Sequence, residues 1–396
     1  MTMISRRAAL LGGIAMPFLP SAVQAAGEPI MVGTLTPQTG SGGSYGPSMV
    51  KVARAVVDAV NNAGGLLGRA VQLVSEDDET NPDAGVRAAR KLIDVDKVIA
   101  ICGTWASAVT TAVAPLCWQS HVMLFTVSGA DSITKLPHRG YIVRTQPNTH
   151  LQSARAAQFL LKHGAKRLFG LSAQTPFATD SYKRLADVLK AGGAEAVGDV
   201  IYDASKTSFR SEVDQAVNAK PDTLFLNGYA PDVIILLREI YQAGFDGTRF
   251  TFGYAANEKT LSALPASVTN GLISFAPSPD PDSPAYARVR QILGTEDPDP
   301  YSCQIYDHVS LVALAIAKAG AATGPAIHDS VRLVSQGDGE KVHSAVEGLK
   351  LLAAGKPINY EGASGPCDFT PEGDIISCKF RFDEARDGKN TLLMIS

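Results

Sequence analysis

The stretch IMVGTLTPQTGSGGSYGPSMVKVARAVVDAVNNAGGLLGRAVQLVS, residues 30–75, contains a complete βαβ unit and decides the fold. Its first seven residues, Ile30–Thr36, form an apolar run that predicts a strand, and residues 71–75 predict a second one. Residues 61–65, Asn-Asn-Ala-Gly-Gly, supply a helix stop between them. Apolar residues recur at helical spacing before that stop: Met49, Val52, Val56 and Val60. A strand, a crossover helix and a second strand predict a parallel sheet.

The same alternation continues along the chain and then restarts after Arg144-Thr145-Gln146-Pro147. The first series predicts helices at about 82–93 and from 106, with strands at 98–102 and 122–126. The second predicts helices at 152–162, 181–191, 209–218 and 232–243, with strands at 167–172, 197–202, 223–227 and 249–252. The predicted fold class is α/β, with two similar lobes, each a doubly wound parallel sheet.

The last third of the chain is less regular. Residues 274–302 are rich in proline and aspartate, as in Pro277-Ser278-Pro279-Asp280-Pro281-Asp282, and predict loops that cross between the lobes or cover them. Helical patterns follow at 305–319 and 341–354. The chain is predicted to end with a hairpin.

The first 26 residues carry the pattern of an export signal. Ser5-Arg6-Arg7 precedes an apolar run at 8–19, and small residues follow from Ala22 to Ala26. This order predicts a secretory signal peptide cleaved near Ala25, rather than a buried N-terminal helix. Paired arginines before the apolar run resemble a twin-arginine signal, which exports folded proteins. No cysteine lies near the cleavage site, so the sequence gives no sign of a lipid anchor. The expected location is the periplasm.

Composition excludes several classes of partner. Cleavage after Ala25 leaves 371 residues and changes the formal charge from −3 to −5, because Arg6 and Arg7 are removed. With 45% hydrophobic and 19% charged residues, the mature chain is expected to be soluble, with a full core in two domains. A mildly acidic chain without a Lys/Arg cluster predicts no nucleic-acid or anionic-lipid partner.

The five cysteines predict one disulfide and no metal site. Cys367 and Cys378 lie symmetrically about the bond between Glu372 and Gly373, so a two-residue hairpin turn there would place them opposite each other. We expect a cross-strand disulfide between them. Buried free thiols are the favoured interpretation of the remaining three, which lie in apolar stretches: Cys102, Cys117 and Cys303. No CxxC or histidine-rich spacing indicates a metal.

The chain resembles the periplasmic leucine/isoleucine/valine-binding family, the type I substrate-binding proteins of ABC importers. The resemblance runs from about Ile30 to the C-terminus, and the order and spacing of its blocks make it specific. The blocks are Gly33 to Gly40 with Tyr45-Gly46; Asn61 to Gly68; Glu76-Asp77-Asp78 with Asn81-Pro82; Gly103 with Ser107; Tyr141 to Thr145; Asn227-Gly228-Tyr229; and Gly362 to Phe369.

This resemblance implies two lobes that close on a ligand about a hinge of three crossings, near residues 146–149, 271–276 and 355–360. Lobe 1 would comprise residues 26–147 and 275–355, and lobe 2 residues 148–274 and 356–396. Ligand between the lobes would shift an open/closed equilibrium that a membrane partner can detect. The implied partners are a small-molecule ligand and the membrane subunits of an ABC importer. We expect a monomer without a cofactor.

The resemblance also assigns the ligand site. Ser107 follows a strand and begins a helix, where the hydroxyl and free amides favour a carboxylate, although a plain helix cap is compatible with the same position. Ser128 and the backbone amide of Ala130 match further ligand contacts, with Ala130 lacking the hydroxyl that the family often has there. The family's cleft is lined by aromatic residues, matched here by Tyr45, Phe177 and Tyr229. Trp105 fits either the cleft or buried packing.

One departure from the family pattern bears on the ligand. Amino-acid binders of the family carry an acidic residue that neutralises the ligand's ammonium group, and Ala255 occupies the matching place here. Glu258 could replace it only if the loop were displaced. Because a buried ammonium without a carboxylate partner is costly, we expect a carboxylate that lacks an amine. Tyr254 adds a further ring and favours an aromatic or apolar acid, with a branched-chain or other amino acid as the alternative.

An enzyme is the main competing class. The chain has no Gly-x-Ser-x-Gly elbow and no dinucleotide fingerprint, and its seven histidines stand alone. Asp77-Asp78 and Asp280-Pro281-Asp282 pair carboxylates, but both sites are predicted to be solvated turns. The sequence therefore predicts no catalytic residues. A ligand sensor coupled to a signalling partner is a third class, which sequence does not separate from an importer component.

Overall fold

The structure is a computed structural model that describes residues 27–396. The predicted signal peptide, with Arg6, Arg7 and the cleavage site near Ala25, lies outside the described residues and stays a prediction. The described chain forms two sheets of parallel strands with helices on their faces, as the alternating pattern predicted. No single helix in this range is both long and apolar enough to cross a bilayer.

Lobe 1 is built on a five-stranded, fully parallel sheet with strand order β2-β1-β3-β4-β5. Apart from the partly exposed edge strand β2, its strands are short, mostly apolar and buried, which is typical of a parallel sheet covered on both faces. Its strands are β1 (Ile30–Thr36), β2 (Val71–Asp77), β3 (Ala100–Gly103), β4 (Met123–Thr126) and β5 (Ile142–Arg144). Its first helices are α1 (Gly46–Asn62), α2 (Pro82–Arg90, extended by a π turn at Lys91–Val95) and α3 (Ser107–Gln119).

Lobe 2 is built on a seven-stranded sheet with order β14-β13-β10-β9-β8-β6-β7. Its two C-terminal strands form a hairpin in which β13 runs antiparallel to β10 and β14 runs antiparallel to β13. Its strands are β6 (Arg167–Ala173), β7 (Glu195–Tyr202), β8 (Thr223–Asn227), β9 (Thr248–Phe252), β10 (Leu272–Ser278), β13 (Lys379–Arg386) and β14 (Lys389–Ile395). Its helices are α4 (Thr149–Lys162), α5 (Pro176–Ala191), α6 (Arg210–Asn218), α7 (Ala230–Gln242), α8 (Glu258–Ser262) and α9 (Ala266–Thr269).

The remaining elements return to lobe 1 and pack into its core. They are the helices α10 (Pro284–Leu293), α11 (Pro300–Ala319), α12 (Gly324–Ser335) and α13 (Ala345–Ala353), with the short strands β11 (Glu340–Val342) and β12 (Ile358–Tyr360). The predicted loop at 274–302 therefore contains a strand and a helix, and the predicted helix at 341–354 begins as a strand. Prolines misled the prediction, because Pro284 and Pro300 each occupy the first turn of a helix after a capping Ser283 or Asp299.

The chain passes between the lobes three times. The first passage joins β5, which ends at Arg144, to α4, which begins at Thr149. The second follows Ser278, because β10 is still paired in the lobe 2 sheet. The third comes between the Phe369–Ile375 bridge and Lys379, because Tyr360 and Phe369 still belong to the lobe 1 core. Both later crossings thus follow the predicted ones along the chain.

The predicted disulfide between Cys367 and Cys378 is wrong in this structure. The local hairpin is centred on Glu372, since Phe369 pairs with Ile375, and is therefore half a residue off the predicted midpoint. Extended outward, this register would set Cys367 opposite position 377 rather than opposite Cys378. Cys367 is buried in the lobe 1 core, whereas Cys378 packs against the aromatic core of lobe 2. All five cysteines are free, and Cys102, Cys117 and Cys303 are buried as predicted.

Candidate binding site between the lobes

A cavity lies between the lobes, where the carboxyl ends of parallel strands from both sheets face each other. This is the usual ligand site of open α/β sheets. Lobe 1 contributes the loops after β3, β4 and β5, and lobe 2 contributes the residues that follow β6, β8 and β9. The cavity is lined by Trp105, Ala106, Ser107, Val127, Gly129, Gln146, Phe177, Tyr229, Tyr254 and Tyr301.

Aromatic rings from both lobes form most of the wall. Trp105 of lobe 1 lies at the centre, with its ring centroid 5.3 Å from that of Tyr229 and 5.5 Å from that of Tyr254. Both of these partners belong to lobe 2. On its own side Trp105 contacts Tyr45 and Tyr301, each at 5.7 Å. The rings therefore connect the lobes directly, and Trp105 faces the cleft.

The lobes are closed on each other in this structure. The cavity encloses about 30 Å³, whereas an engineered cavity of about 150 Å³ accommodates benzene. Asp131 of lobe 1 forms an ion pair of 3.0 Å with Arg184 of α5, and the Ser132 amide donates to Asp180 of the same helix. A ligand with a ring can enter only if the lobes separate and the cleft side chains move apart.

Ser107 occupies the first turn of α3 and lines the cavity, as predicted from its position after β3. The residue before the helix is Ala106, which has extended backbone and no side chain able to accept the first amides. Ser107 is therefore not the helix cap. Its hydroxyl accepts a hydrogen bond of 3.2 Å from the Ala130 amide, and no acidic side chain lies in the first turn. The uncapped amides favour an anion at this end of the cavity.

Ser128 and Ala130 are buried and do not line the cavity, contrary to the predicted ligand contacts. The Ser128 hydroxyl lies 2.6 Å from the carbonyl oxygen of Thr104 and 3.0 Å from that of Trp105. Thr104 adopts a left-handed backbone, with φ of 58°, in the turn that precedes α3. The Ala130 amide donates to the Ser107 hydroxyl. These two residues hold the shape of the turn, and Gly129 between them reaches the cavity.

Ala255 does not face the cavity either. Its side chain is fully buried in the core of lobe 2, and its amide donates to the carbonyl of Phe252 in a tight turn. That turn brings the neighbouring ring of Tyr254 to the cavity. Glu258 is exposed on α8 and does not reach the cavity. An Ala255→Glu change would bury a carboxylate in the core rather than supply a partner for an amine.

The cavity wall carries no charged side chain among the described residues. Asp232, three residues after Tyr229 in the sequence, accepts hydrogen bonds from the Tyr229 amide and the Tyr202 hydroxyl. Burial raises the pKa of the Asp232 carboxyl. Burial also raises the pKa of the Tyr229 and Tyr254 hydroxyls, which remain neutral donors. Asp77 and Asp78 accept hydrogen bonds from backbone amides at the turn after β2 and do not line the cavity. Asp78 is buried, not solvated as predicted.

Sequence reasoning missed several lining residues, above all Gln146 and Tyr301. Tyr301 lies in the first turn of α11, which the prediction treated as loop; the Asp299-Pro300 helix start was the available signal. Gln146 belongs to the first crossing, and no sequence pattern indicated the direction of its side chain. Gly129 was missed between two predicted contacts. A Cβ there would lie 2.5 Å from the Phe177 ring, so glycine allows the close approach of lobe 2.

Tyr45 lies behind the cavity wall and links the lobes. Its hydroxyl donates to the Tyr254 carbonyl at 3.0 Å and accepts from the Asn257 amide at 3.2 Å. Tyr45→Phe is expected to cost the closed form about 0.5 to 1.5 kcal/mol, so ligand affinity should fall about two- to tenfold. Calorimetry measures the affinity, and small-angle scattering should show a more open unliganded protein.

Tyr306→Phe is the matched control for Tyr45→Phe, because the Tyr306 hydroxyl bonds His343 within lobe 1. The control should leave both affinity and opening unchanged. If Tyr45→Phe behaves like this control, Tyr45 does not contribute to closure.

Comparison with known proteins agrees with this architecture. The family profile described as periplasmic binding protein matches residues 29–389. The chain is 27% identical over 358 residues to the chemotactic signal transduction system substrate-binding protein BasB of Halobacterium salinarum, covering 87% of this chain and 84% of BasB.

Two solved structures share the fold. The leucine-binding protein LivK of Thermotoga maritima superimposes with a TM-score of 0.79 at 21% identity, covering 92% of this chain and 98% of LivK. An ABC-transporter solute-binding protein of Rhodopseudomonas palustris, solved with 4-hydroxybenzoate, gives 0.76 at 21% identity, covering 93% and 97%. The predicted family, fold class and absence of enzyme function are confirmed. A profile match across nearly the whole described chain, with two lobes facing one cavity, shows that the protein belongs to the periplasmic binding protein family.

Proposed function

We propose that this protein captures a small organic carboxylate without an α-ammonium group, aromatic or apolar, and delivers it to the membrane subunits of an ABC importer. The observation that carries the proposal is the charge character of the cavity. One end has the uncapped first turn of α3 with Ser107, and the wall has no acidic side chain in the part of the chain that the structure describes. The cavity can therefore compensate an anion but not a cation.

The rest of the wall suits a ring or an apolar chain. Trp105, Phe177, Tyr229 and Tyr254 present ring faces and edges that gain from burying apolar surface. An importer component needs such a ligand to stabilise the closed form, since only closure brings both lobes into contact with it. The residues that would hold the ligand are therefore Ser107 with the α3 amides at the anion, and the aromatic side chains around the remainder.

The related proteins bind ligands of both classes under consideration. The Rhodopseudomonas palustris protein holds 4-hydroxybenzoate, which is an aromatic acid without an amine, and this supports the proposal. LivK is a leucine-binding protein, and an amino acid is therefore the alternative ligand class. Two features disfavour it here: the lining side chains that the structure describes include no acid, and Glu258 does not reach the cavity.

Ser107→Ala tests the proposed anion site. Acids found by a thermal-shift screen of aromatic and aliphatic carboxylates should lose roughly 1.5 to 3 kcal/mol of binding energy in this variant, the usual value for a hydrogen bond to a charged group. Calorimetry measures the loss. The unliganded melting temperature should fall modestly, because the buried Ala130 amide loses its acceptor in this variant.

Ser181→Ala is the control for Ser107→Ala. Ser181 is a buried serine of α5 whose hydroxyl donates to the Ala178 carbonyl, away from the cavity. It should leave acid binding intact. If Ser107→Ala and the parent protein bind acids with equal affinity, the carboxylate does not bind at this end of the cavity and the proposal is contradicted.

A sensor role is the second candidate, with the same ligand chemistry. BasB, the chemotactic relative, favours it, because such a protein presents its closed form to a signalling partner instead of an importer. Deleting the gene separates the two roles. Loss of uptake of a bound acid supports the importer, whereas normal uptake with a lost chemotactic response supports the sensor.

A further inference from the structure

We infer that Gln146 recognises a second, uncharged polar group of the ligand, a ring hydroxyl, through its side-chain amide. This inference rests on the proposed function and narrows the ligand class to hydroxylated aromatic acids. Gln146 lies in the first crossing between the lobes and lines the cavity. It is 4% exposed, so the side chain is largely shielded from bulk water.

The Gln146 amide has one end occupied and one end free. Its Oε1 accepts a hydrogen bond of 2.8 Å from Nε2 of Gln304 on α11. Its own Nε2 has no partner in the part of the chain that the structure describes. An amide N–H shielded from water without an acceptor is unfavourable, and the cavity is the place where a ligand can supply one.

The crossing around Gln146 is held firmly on α11. Gln304 is 1% exposed, and its Nε2 is directed at Gln146 while its own Oε1 has no partner among the described residues. One residue earlier, the Thr145 hydroxyl lies 2.8 Å from Nε2 of His308, which is also on α11. Two adjacent contacts therefore fix the crossing, and the orientation of the Gln146 amide follows from them.

Gln146 and Ser107 lie at different parts of the cavity. Ser107 follows β3 and Gln146 follows β5, and β4 lies between these strands in the sheet. Two strand spacings separate the strand ends by about 9 to 10 Å. One carboxylate at the start of α3 would therefore leave Gln146 for another group. A neutral amide amid aromatic rings does not compensate a second charge, so the group is an uncharged acceptor.

A substitution and a ligand change, made together, test this assignment on the full mature protein. Calorimetry compares each hydroxybenzoate isomer with the methylbenzoate substituted at the same position, because methyl and hydroxyl groups are similar in size. In the parent protein at least one hydroxybenzoate should bind about tenfold or more tightly than its methyl counterpart. Gln146→Leu should abolish or reverse that preference and leave the methylbenzoate affinity within about threefold.

Two further variants separate recognition from folding. Gln304→Met removes the group that orients Gln146 without touching the cavity wall, and it should reduce the same preference. Gln336→Leu is the control: Gln336 is a partly buried glutamine after α12 whose Oε1 accepts from the Phe369 amide, and it does not line the cavity. It should keep the full preference whatever it does to the melting temperature.

The outcomes are distinct for the two proposals. Suppose that benzoates bind, that their binding depends on Ser107, and that Gln146→Leu and Gln304→Met leave the hydroxyl preference unchanged. This result would overturn the Gln146 assignment and leave the proposed function standing. The absence of any hydroxyl preference in the parent would overturn it equally. Failure of every benzoate to bind, with an amino acid binding instead, would overturn both.

Discussion

4-Methylpentanoate, which is leucine without its amino group, is expected to bind this protein at least about 100-fold more tightly than leucine. The two molecules share the carboxylate that Ser107 and the α3 amides would hold. They differ in the ammonium, which would be buried against a wall that has no acidic side chain among the described residues. An unpaired buried cation costs several kcal/mol, and each 1.4 kcal/mol is a factor of ten in affinity.

Calorimetry of both compounds measures the difference, and 3-phenylpropanoate against phenylalanine repeats the comparison with a ring. Submicromolar leucine binding with a weaker deaminated analogue would contradict the proposed ligand class. An acid would then have to reach the cavity. Asp78 is a candidate, because it is fully buried and its Oδ2 has no partner in the described chain. Asp78→Asn would abolish amine binding in that event.

Arg144→Met is expected to lower the free energy of unfolding by about 3 to 5 kcal/mol. Arg144 is fully buried, and its guanidinium bonds Asp374 at 2.6 Å, the Ala130 carbonyl at 2.6 Å and the Thr134 hydroxyl at 3.1 Å. Removing one partner of a buried pair leaves the other charge uncompensated, which accounts for the size of the effect. Because Arg144 also donates to the Ala130 carbonyl, the variant removes a contact that holds the loop bearing Gly129.

Denaturant unfolding of Arg144→Met, Asp374→Asn and the double variant measures the loss and the coupling between the two residues. Arg386→Met is the control, because Arg386 pairs with Glu384 on the surface and such pairs contribute only about 0 to 1 kcal/mol. A loss below 1 kcal/mol in Arg144→Met would show that the pair does not hold the crossings together. Ligand affinity should fall in Arg144→Met even under conditions where the variant is folded.

The regular part of the fold could be predicted because its signal is local. Buried parallel strands are continuous apolar runs, and β1 at Ile30–Thr36 and β8 at Thr223–Asn227 have the predicted bounds. The predicted elements are wrong where proline lies in a strand or at a helix start instead of in a loop. Pro277 lies in β10, which pairs with β13, and Pro284 and Pro300 begin helices. Composition alone does not distinguish these positions from loops.

The site was predictable in part. Ser107, Phe177, Tyr229 and Tyr254 line the cavity, and they follow strand ends, where topology places ligand contacts. Ser128, Ala130 and Ala255 do not, because whether a residue beside such a strand end faces the cavity depends on one turn of the backbone. The predicted disulfide between Cys367 and Cys378 is wrong for a similar reason, since a small change in hairpin register reverses the direction of a side chain.

The sequence by itself determined the alternation of strands and helices, the two lobes, the family, and a helix start that favours an anion, because each follows from patterns within a few dozen residues. Only the tertiary structure decided which side chains meet across the cleft. Trp105 contacts Tyr229 and Tyr254, Tyr45 bonds the Tyr254 carbonyl, and Gln304 holds Gln146. These partners are far apart along the chain, and their meeting depends on how the three crossings orient one lobe against the other, which no local pattern encodes.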